Sequence, residues 1–218
     1  MTETSTPQVD SADTVLQLGG LIVRSVSVGE YANNVYLLEC TATGERLLID
    51  AAAEPDTLLA LIGDGGLAQI FTTHFHYDHW GALQQVVDAT GARTAAHPAD
   101  APGIPVPTQV QVRDGEEIRV GDAVLRAVHL IGHTAGSLAL VYAEPHGPHH
   151  IWSGDALFPG GVGRTHDEPA LFDLLYRDVV AKIFDLYSDD TAVYPGHGNF
   201  TTVGAERPQL EEWRARGW

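Results

Sequence analysis

Thr73-His74-Phe75-His76-Tyr77-Asp78-His79 places three histidines and one aspartate within six residues, directly after the apolar run 68–72. Neither a strand end nor a turn favours that composition, whereas neutral imidazoles and an ionised carboxylate are donors that zinc, iron or manganese accept. His74 and His76 lie two apart on extended chain and point the same way, while Asp78 and His79 lie beyond a bend. The spacing therefore offers ligands to two neighbouring ions rather than one. A solvated polar loop is the plain alternative, and it accounts for a lone histidine better than for this cluster.

Three further candidate ligands follow apolar runs of strand character. They are His133 in Ile131-Gly132-His133-Thr134, Asp155 in Ser153-Gly154-Asp155, and His197 in Pro195-Gly196-His197-Gly198. Each is flanked by glycine, which lets the backbone turn sharply at a strand end and approach an ion closely. Four strand-to-loop junctions carrying ligands imply one crevice at the ends of a sheet, where open α/β sheets place their chemistry.

The set His74, His76, Asp78, His79, His133, Asp155 and His197 resembles the complete ligand pattern of the metallo-β-lactamase fold superfamily, from about Gly19 to the end of the chain. The resemblance implies an α/β fold, an αββα sandwich, with two divalent metal ions as cofactors. By this resemblance His74, His76 and His133 hold the first ion, Asp78, His79 and His197 the second, and Asp155 bridges them. Zinc is the expected metal, with iron or manganese as alternatives. An aspartate at the bridging position and a histidine after Asp78 resemble the dinuclear hydrolases rather than the true zinc β-lactamases, which place a cysteine where Asp155 stands.

Within the superfamily, residues 73–79, Gly132-His133-Thr134, and Gly154-Asp155-Ala156-Leu157-Phe158 with Gly163-Arg164 resemble short glyoxalase II-like (hydroxyacylglutathione hydrolase-like) hydrolases. About twenty residues follow His197, too few for the helical domain that the long enzymes append. The resemblance implies hydrolysis of an acyl ester of a small thiol by a metal-bridged hydroxide, with Asp78 as the catalytic residue that orients it. A thiol of pKa ~8.5 leaves readily as thiolate, so such a site has little need of a strong general acid. The loop 158–167 is expected to line the substrate pocket, with Arg164 and His166 binding substrate. For Arg164 the competing expectation is an ion pair with Asp167 or Glu168. Three other readings stay open: a one-iron persulfide dioxygenase, whose Gly-Asp-Ala-Leu and Gly-Arg-Thr elements also occur here, a lactone hydrolase, and a non-catalytic metal-binding protein.

Composition is compatible with a compact enzyme. The 218 residues are enough for one sizeable core. We read residues 1–17 as a flexible acidic tail and 18–218 as a single domain. The single cysteine, Cys40, excludes an intrachain disulfide and suits a reducing compartment, and the N-terminus lacks the basic start and apolar core of a secretory signal. The expected location is the cytoplasm. A net charge of −17 argues against nucleic acid or an anionic membrane as partner. The resemblance implies a small-molecule acyl-thiol or related substrate. Oligomeric state is not legible.

Periodicity supplies the remaining elements. Leu21–Val28, residues 35–39 and Arg46–Ile49 read as an antiparallel meander, with Asn33-Asn34 and Thr43-Gly44 as turns. Pro55–Ile62 and residues 81–89 read as helices, and 98–107, with four prolines, as loop. Glu117–Val120 and residues 123–131 form a hairpin across Gly121-Asp122, followed by a strand at 138–142. The clearest helix covers 169–187, where Leu171, Leu174, Leu175, Val179, Ile183 and Leu186 recur at helical spacing. A last helix is expected at 205–216. His97, His146, His149 and His150 read as solvated or structural. His129 shares a strand face with Leu125, Ala127 and Ile131, which suits a core histidine or one supporting His133.

Overall fold

A computed structural model of the protein describes residues 14–217. The strands are β1 Val15–Leu18, β2 Leu21–Val28, β3 Asn33–Cys40, β4 Arg46–Ile49, β5 Gln69–Phe71, β6 Arg93–Ala96, β7 Val110–Gln111, β8 Glu117–Val120, β9 Ala123–His129, β10 Leu138–Ala143, β11 His149–Gly154, β12 Leu157–Phe158, β13 Gly161–Val162, β14 Ala192–Pro195 and β15 Thr201–Thr202. The α-helices are α1 Pro55–Ile62, α2 Leu83–Thr90, α3 Pro169–Val179, α4 Val203–Glu206 and α5 Leu210–Arg216. One sheet has the order β1-β2-β3-β4-β5-β6-β7, antiparallel as far as β4 and parallel beyond it. The other has the order β15-β14-β11-β10-β9-β8, with β11 and β14 its one parallel pair.

Strands buried on both faces explain why these segments read as nearly continuous apolar runs. In β3 and β4, Tyr36, Leu38, Leu47 and Ile49 face the second sheet and meet Leu125, Leu140, Trp152 and Tyr194. Their neighbours Leu37 and Leu48 face the opposite way and pack with Leu58 and Ile62 of α1 and Leu83 and Val86 of α2. On the far side, Val141, Ile151 and Val193 pack against Phe172 and Leu175 of α3, Ile183, and Trp213 of α5. Three apolar layers between four layers of secondary structure make the αββα sandwich expected from the sequence.

Several segments depart from that expectation. Residues 15–17, assigned to a flexible tail, are strand: β1 pairs with Leu21 to Arg24, and Leu16 and Leu18 turn to the core while Val15 and Gln17 face out. Residues 1–13 of that tail lie outside the described residues. Asn33-Asn34 is not a turn but the buried start of β3, the reversal coming earlier at Gly29 and Ala32, both in left-handed backbone. The helix expected over 169–187 is α-helical only to Val179 and then widens into one π turn, Val180–Phe184, closed by Asp185 N donating to Val180 O at 2.9 Å. Such a turn inserts a residue into the helical register, and Leu186, expected in the apolar stripe, is exposed. The last helix divides at Arg207–Gln209 because Pro208 has no N–H to continue it.

Of the loop histidines, His150 is buried, 2.9 Å from the Tyr194 hydroxyl and 3.1 Å from Glu144, and His97 stacks on His129 with ring centroids 4.2 Å apart. Cys40 is buried at the end of β3. Burial pushes its thiol up, but hydrogen bonds from the Thr43 hydroxyl and from backbone N–H groups outweigh this and bring it to about 7.

The C-terminal helix is part of the core. Trp213 is fully buried, its ring 6.0 Å from Phe184, yet its indole N–H finds no hydrogen-bond partner among the described residues. Trp213→Ala should therefore cost about 3–5 kcal/mol in urea unfolding, whereas Trp213→Phe, which keeps an aromatic ring and removes the orphaned donor, should cost well under half of that. Equal losses would contradict the claim that an aromatic ring at this position carries most of the stabilisation.

Candidate metal centre

The seven sequence-predicted ligands converge at one end of the sandwich. His74 and His76 follow β5, His133 lies between β9 and β10, Asp155 follows β11 and His197 follows β14. Asp78 and His79 sit on a short 3-10 turn, Tyr77–His79. Three donor groups result: His74, His76 and His133; His74, His79 and Asp155; and Asp78, His79 and His197.

In the first group, His74 Nε2, His76 Nδ1 and His133 Nε2 lie 3.0, 3.0 and 3.2 Å from one another. The outer nitrogens decide what these inner ones are. His133 Nδ1 donates to the Arg164 carbonyl at 2.7 Å, which can only accept, so neutral His133 presents a bare lone pair at Nε2. Thr73 Oγ1 donates to Asp50 at 3.0 Å and so accepts from His74 Nδ1 at 3.1 Å, leaving a lone pair on His74 Nε2 as well. Burial keeps both rings neutral: it lowers His74 well below the usual value, and it lowers His133 to about 4 against the pull of Asp155. Two lone pairs facing each other at 3.2 Å repel unless a cation lies between them.

The second group is wired the same way. His79 Nδ1 donates to Asp50 Oδ2 at 2.8 Å and His197 Nδ1 to the Tyr31 carbonyl at 2.9 Å, so both Nε2 atoms turn inward, 3.2 Å apart. Here carboxylates surround the rings. Burial would lower both histidines, but Asp50 and Asp155 raise His79 well above its ordinary value, and hydrogen bonds to Asp155 and Asp78 raise His197 to about 10. The hydrogen bond from His197, against burial and helped by Asn33, holds Asp78 well below the usual carboxylate range.

Asp155 stands between the groups. Its Oδ2 is 3.7 Å from His133 Nε2 and 3.5 Å from His197 Nε2, and its Oδ1 is 3.4 Å from His79 Nε2. That Oδ1 is buried without a hydrogen-bond partner among the described residues, a costly state for a carboxylate oxygen that a cation removes. Converging imidazole lone pairs and an orphaned carboxylate oxygen fit first-row divalent ions. Gly196 makes the approach possible, since a Cβ there would lie 2.3 Å from Asp155 Oδ1.

Four residues outside the seven shape the site. Asp50, buried at the end of β4, accepts from Thr73 N, Thr73 Oγ1 and His79 Nδ1. Asn33 Nδ2 donates to Asp78 Oδ2 at 3.0 Å, and Asn34 Nδ2 donates to the carbonyls of Pro195 and Gly198, tying β3 to the His197 loop. Asp100, in the proline-rich loop, accepts from Phe75 N and Thr134 Oγ1 and so joins the loops on either side of the first group. Of the residues expected to bind substrate, His166 is exposed with its ring 5.9 Å from His76. The Arg164 side chain is also exposed, 3.6 Å from Asp167, and its contact with the donor set runs through its backbone carbonyl. His129 bonds Ala135 O rather than His133. A concavity of about 900 Å³ lies among Cys40, Tyr142 and Tyr187 and includes none of the donors.

The two donor groups should differ in proton competition. Burial lowers all three histidines of the first, so an ion enters it at neutral pH with little displacement of protons. His79 and His197 are raised, so their protons are retained below the ordinary value of ~6.5 and lost only as pH climbs towards the folded value, about 10 for His197. Calorimetric zinc titration at pH 7 in buffers of different ionisation enthalpy should show little proton release for the first equivalent and between one and two protons for the second. The affinity of the second should also strengthen from pH 6 to 8. Equal proton release by both equivalents would contradict this assignment.

Comparison with known proteins agrees with this geometry. Residues 28–198 match the family model for the metallo-beta-lactamase superfamily. The chain is 36% identical to a hydroxyacylglutathione hydrolase of Polaromonas sp. strain JS666, in a match covering 81% of this chain and 66% of that enzyme. Among solved structures it is similar to ETHE1 from Myxococcus xanthus, at 30% identity and TM-score 0.77, covering 88% of this chain and 84% of that one. It is also similar to TTHA1623 in a di-iron-bound form, at 32% identity and TM-score 0.69, covering 84% and 96%. Fold, converging donors and family match together place this chain in the metallo-beta-lactamase superfamily of metal-dependent hydrolases.

Proposed function

We propose that the protein hydrolyses the thioester of a small thiol at a dinuclear centre. His74, His76 and His133 would hold one ion, Asp78, His79 and His197 the other, and Asp155 both. The observation that carries this reading is the position of Asp155, within 3.7 Å of inner nitrogens from both groups and with one buried oxygen unpaired. The likeness to a hydroxyacylglutathione hydrolase supports the thioester as substrate, and the di-iron-bound neighbour supports iron beside zinc as the metal.

When bound, divalent ions at such a centre supply Lewis acidity towards the acyl oxygen and a hydroxide nucleophile near neutral pH. The chain's residues orient the reactants. Asp78 is held ionised, and its plane is fixed by Asn33 at 3.0 Å and His197 at 3.2 Å, so it serves as the acceptor that aligns the attacking water. Water oxygen adds to the acyl carbon, the C–S bond breaks and the thiol leaves as thiolate without a strong acid, the acyl group leaves as carboxylate, and the two water protons pass to solvent. Arg164 and His166, exposed beside His133 and His76, flank the side on which the thiol carrier would lie.

His197→Ala should remove one ion, leave the other bound, and lower kcat for a glutathione thioester by about 10²-fold or more. Metal analysis with steady-state kinetics checks this, and full activity with one ion per chain would defeat the dinuclear mechanism. The rate should be the same under nitrogen as in air. Turnover that requires oxygen would favour one-iron persulfide oxidation, and a lactone cleaved faster than any thioester would favour the lactonase.

A further inference from the structure

A groove of about 460 Å³ opens beside Asn33 and Asp78 of the second donor group, whereas Arg164 and His166 adjoin His133 and His76 of the first. Two tyrosines line it, Tyr31 and Tyr77, each 69% exposed, which is unusual for aromatic side chains with apolar neighbours available. Their positions are fixed. The Tyr31 carbonyl holds His197 Nδ1 at 2.9 Å, and its loop is pinned where Gly29 N donates to Glu54 at 2.8 Å. Tyr77 precedes Asp78 directly and packs edge-on against Trp80, ring centroids 5.1 Å apart. The floor between them is small and apolar, with Ala52, Ala53 and Pro55. Among the described residues its charged lining is Glu30, Glu54 and Asp78, with no lysine or arginine.

We infer that this groove is the acyl subsite and that it selects a bulky, apolar acyl group, such as an arylacetyl group, and disfavours one bearing a second carboxylate. The inference rests on the thioester reading for which end of the substrate lies here. Three observations carry it: continuity with Asp78, exposed aromatic walls, and lining charge of one sign. A cavity of roughly 150 Å³ accommodates benzene, so this groove has room for an aryl group that an acetyl group would leave largely unfilled. An acyl carboxylate would instead meet Glu30 and Glu54, with no counter-ion in the lining.

The test has a binding arm that does not depend on turnover. With the zinc-loaded protein, phenylacetate should bind about tenfold or more tightly than acetate, and succinate no more tightly than acetate. In Tyr31→Ser/Tyr77→Ser the advantage of phenylacetate should fall to about threefold or less. Equal affinities for phenylacetate and acetate, or an advantage unchanged in the double variant, would overturn the subsite. The kinetic arm compares phenylacetyl and acetyl thioesters of N-acetylcysteamine, and kcat/KM should follow the same order. Selective binding without cleavage of either ester would uphold the groove and defeat the thioester reading. Cleavage of both esters without selective binding would uphold that reading and defeat the groove.

Discussion

One buried carboxylate sets the orientation of both halves of the centre. Asp50 is 1% exposed, and its two oxygens accept three hydrogen bonds, from Thr73 N, Thr73 Oγ1 and His79 Nδ1, at 2.8–3.0 Å. The contact with His79 fixes that ring directly. The contact with Thr73 fixes His74 at one remove, because a hydroxyl already donating to Asp50 must accept from His74 Nδ1. Asp50 thus turns a lone pair inward in each donor group, the role that carboxylates and carbonyls behind metal-bound histidines commonly play. Its backbone is left-handed, φ 61°, a conformation that aspartate tolerates better than most residues and that costs about 1–3 kcal/mol where the surroundings impose it.

From that constraint the rest follows as a problem of charge. Five histidines turn a ring nitrogen inward, and two carboxylates converge on the same space. Without cations, His79 and His197 retain protons to balance Asp50, Asp78 and Asp155, whereas His74 and His133 stay neutral. The centre is therefore asymmetric, with one group preformed at neutral pH and the other held in competition with protons. The sandwich makes this arrangement tolerable by placing the ligands in the loops that follow β5, β9, β11 and β14, where loops rather than sheet side chains absorb the electrostatic cost.

The donor set was legible in the sequence because its chemistry is dense and its glycines mark where backbone must come close. The layers were legible because strands buried on both faces read as apolar runs. What escaped detection depended on distant partners. Asn33-Asn34 has turn composition, and only the pairing of β3 with the His197 loop shows that the Asn34 side-chain amide and the Asn33 backbone stitch the sheets together. Asp50 closes the apolar strand Arg46–Ile49, and an aspartate ending a buried strand at the same sheet end as the cluster was the signal available for it. Asp100 lies in an aperiodic proline-rich stretch, where nothing local separates a buried acceptor from a solvated one. The π turn escaped because apolar spacings of three and four fit an unbroken helix as well as one with an inserted residue.

The most direct test of the account is anomalous diffraction from crystals of the metal-loaded protein. Two peaks are expected, one among His74, His76 and His133 and one among Asp78, His79 and His197, with the Asp155 carboxylate between them. A single peak, or a second one outside these residues, would contradict the claim that the outer hydrogen bonds of this fold aim two sets of donors at two shared ions.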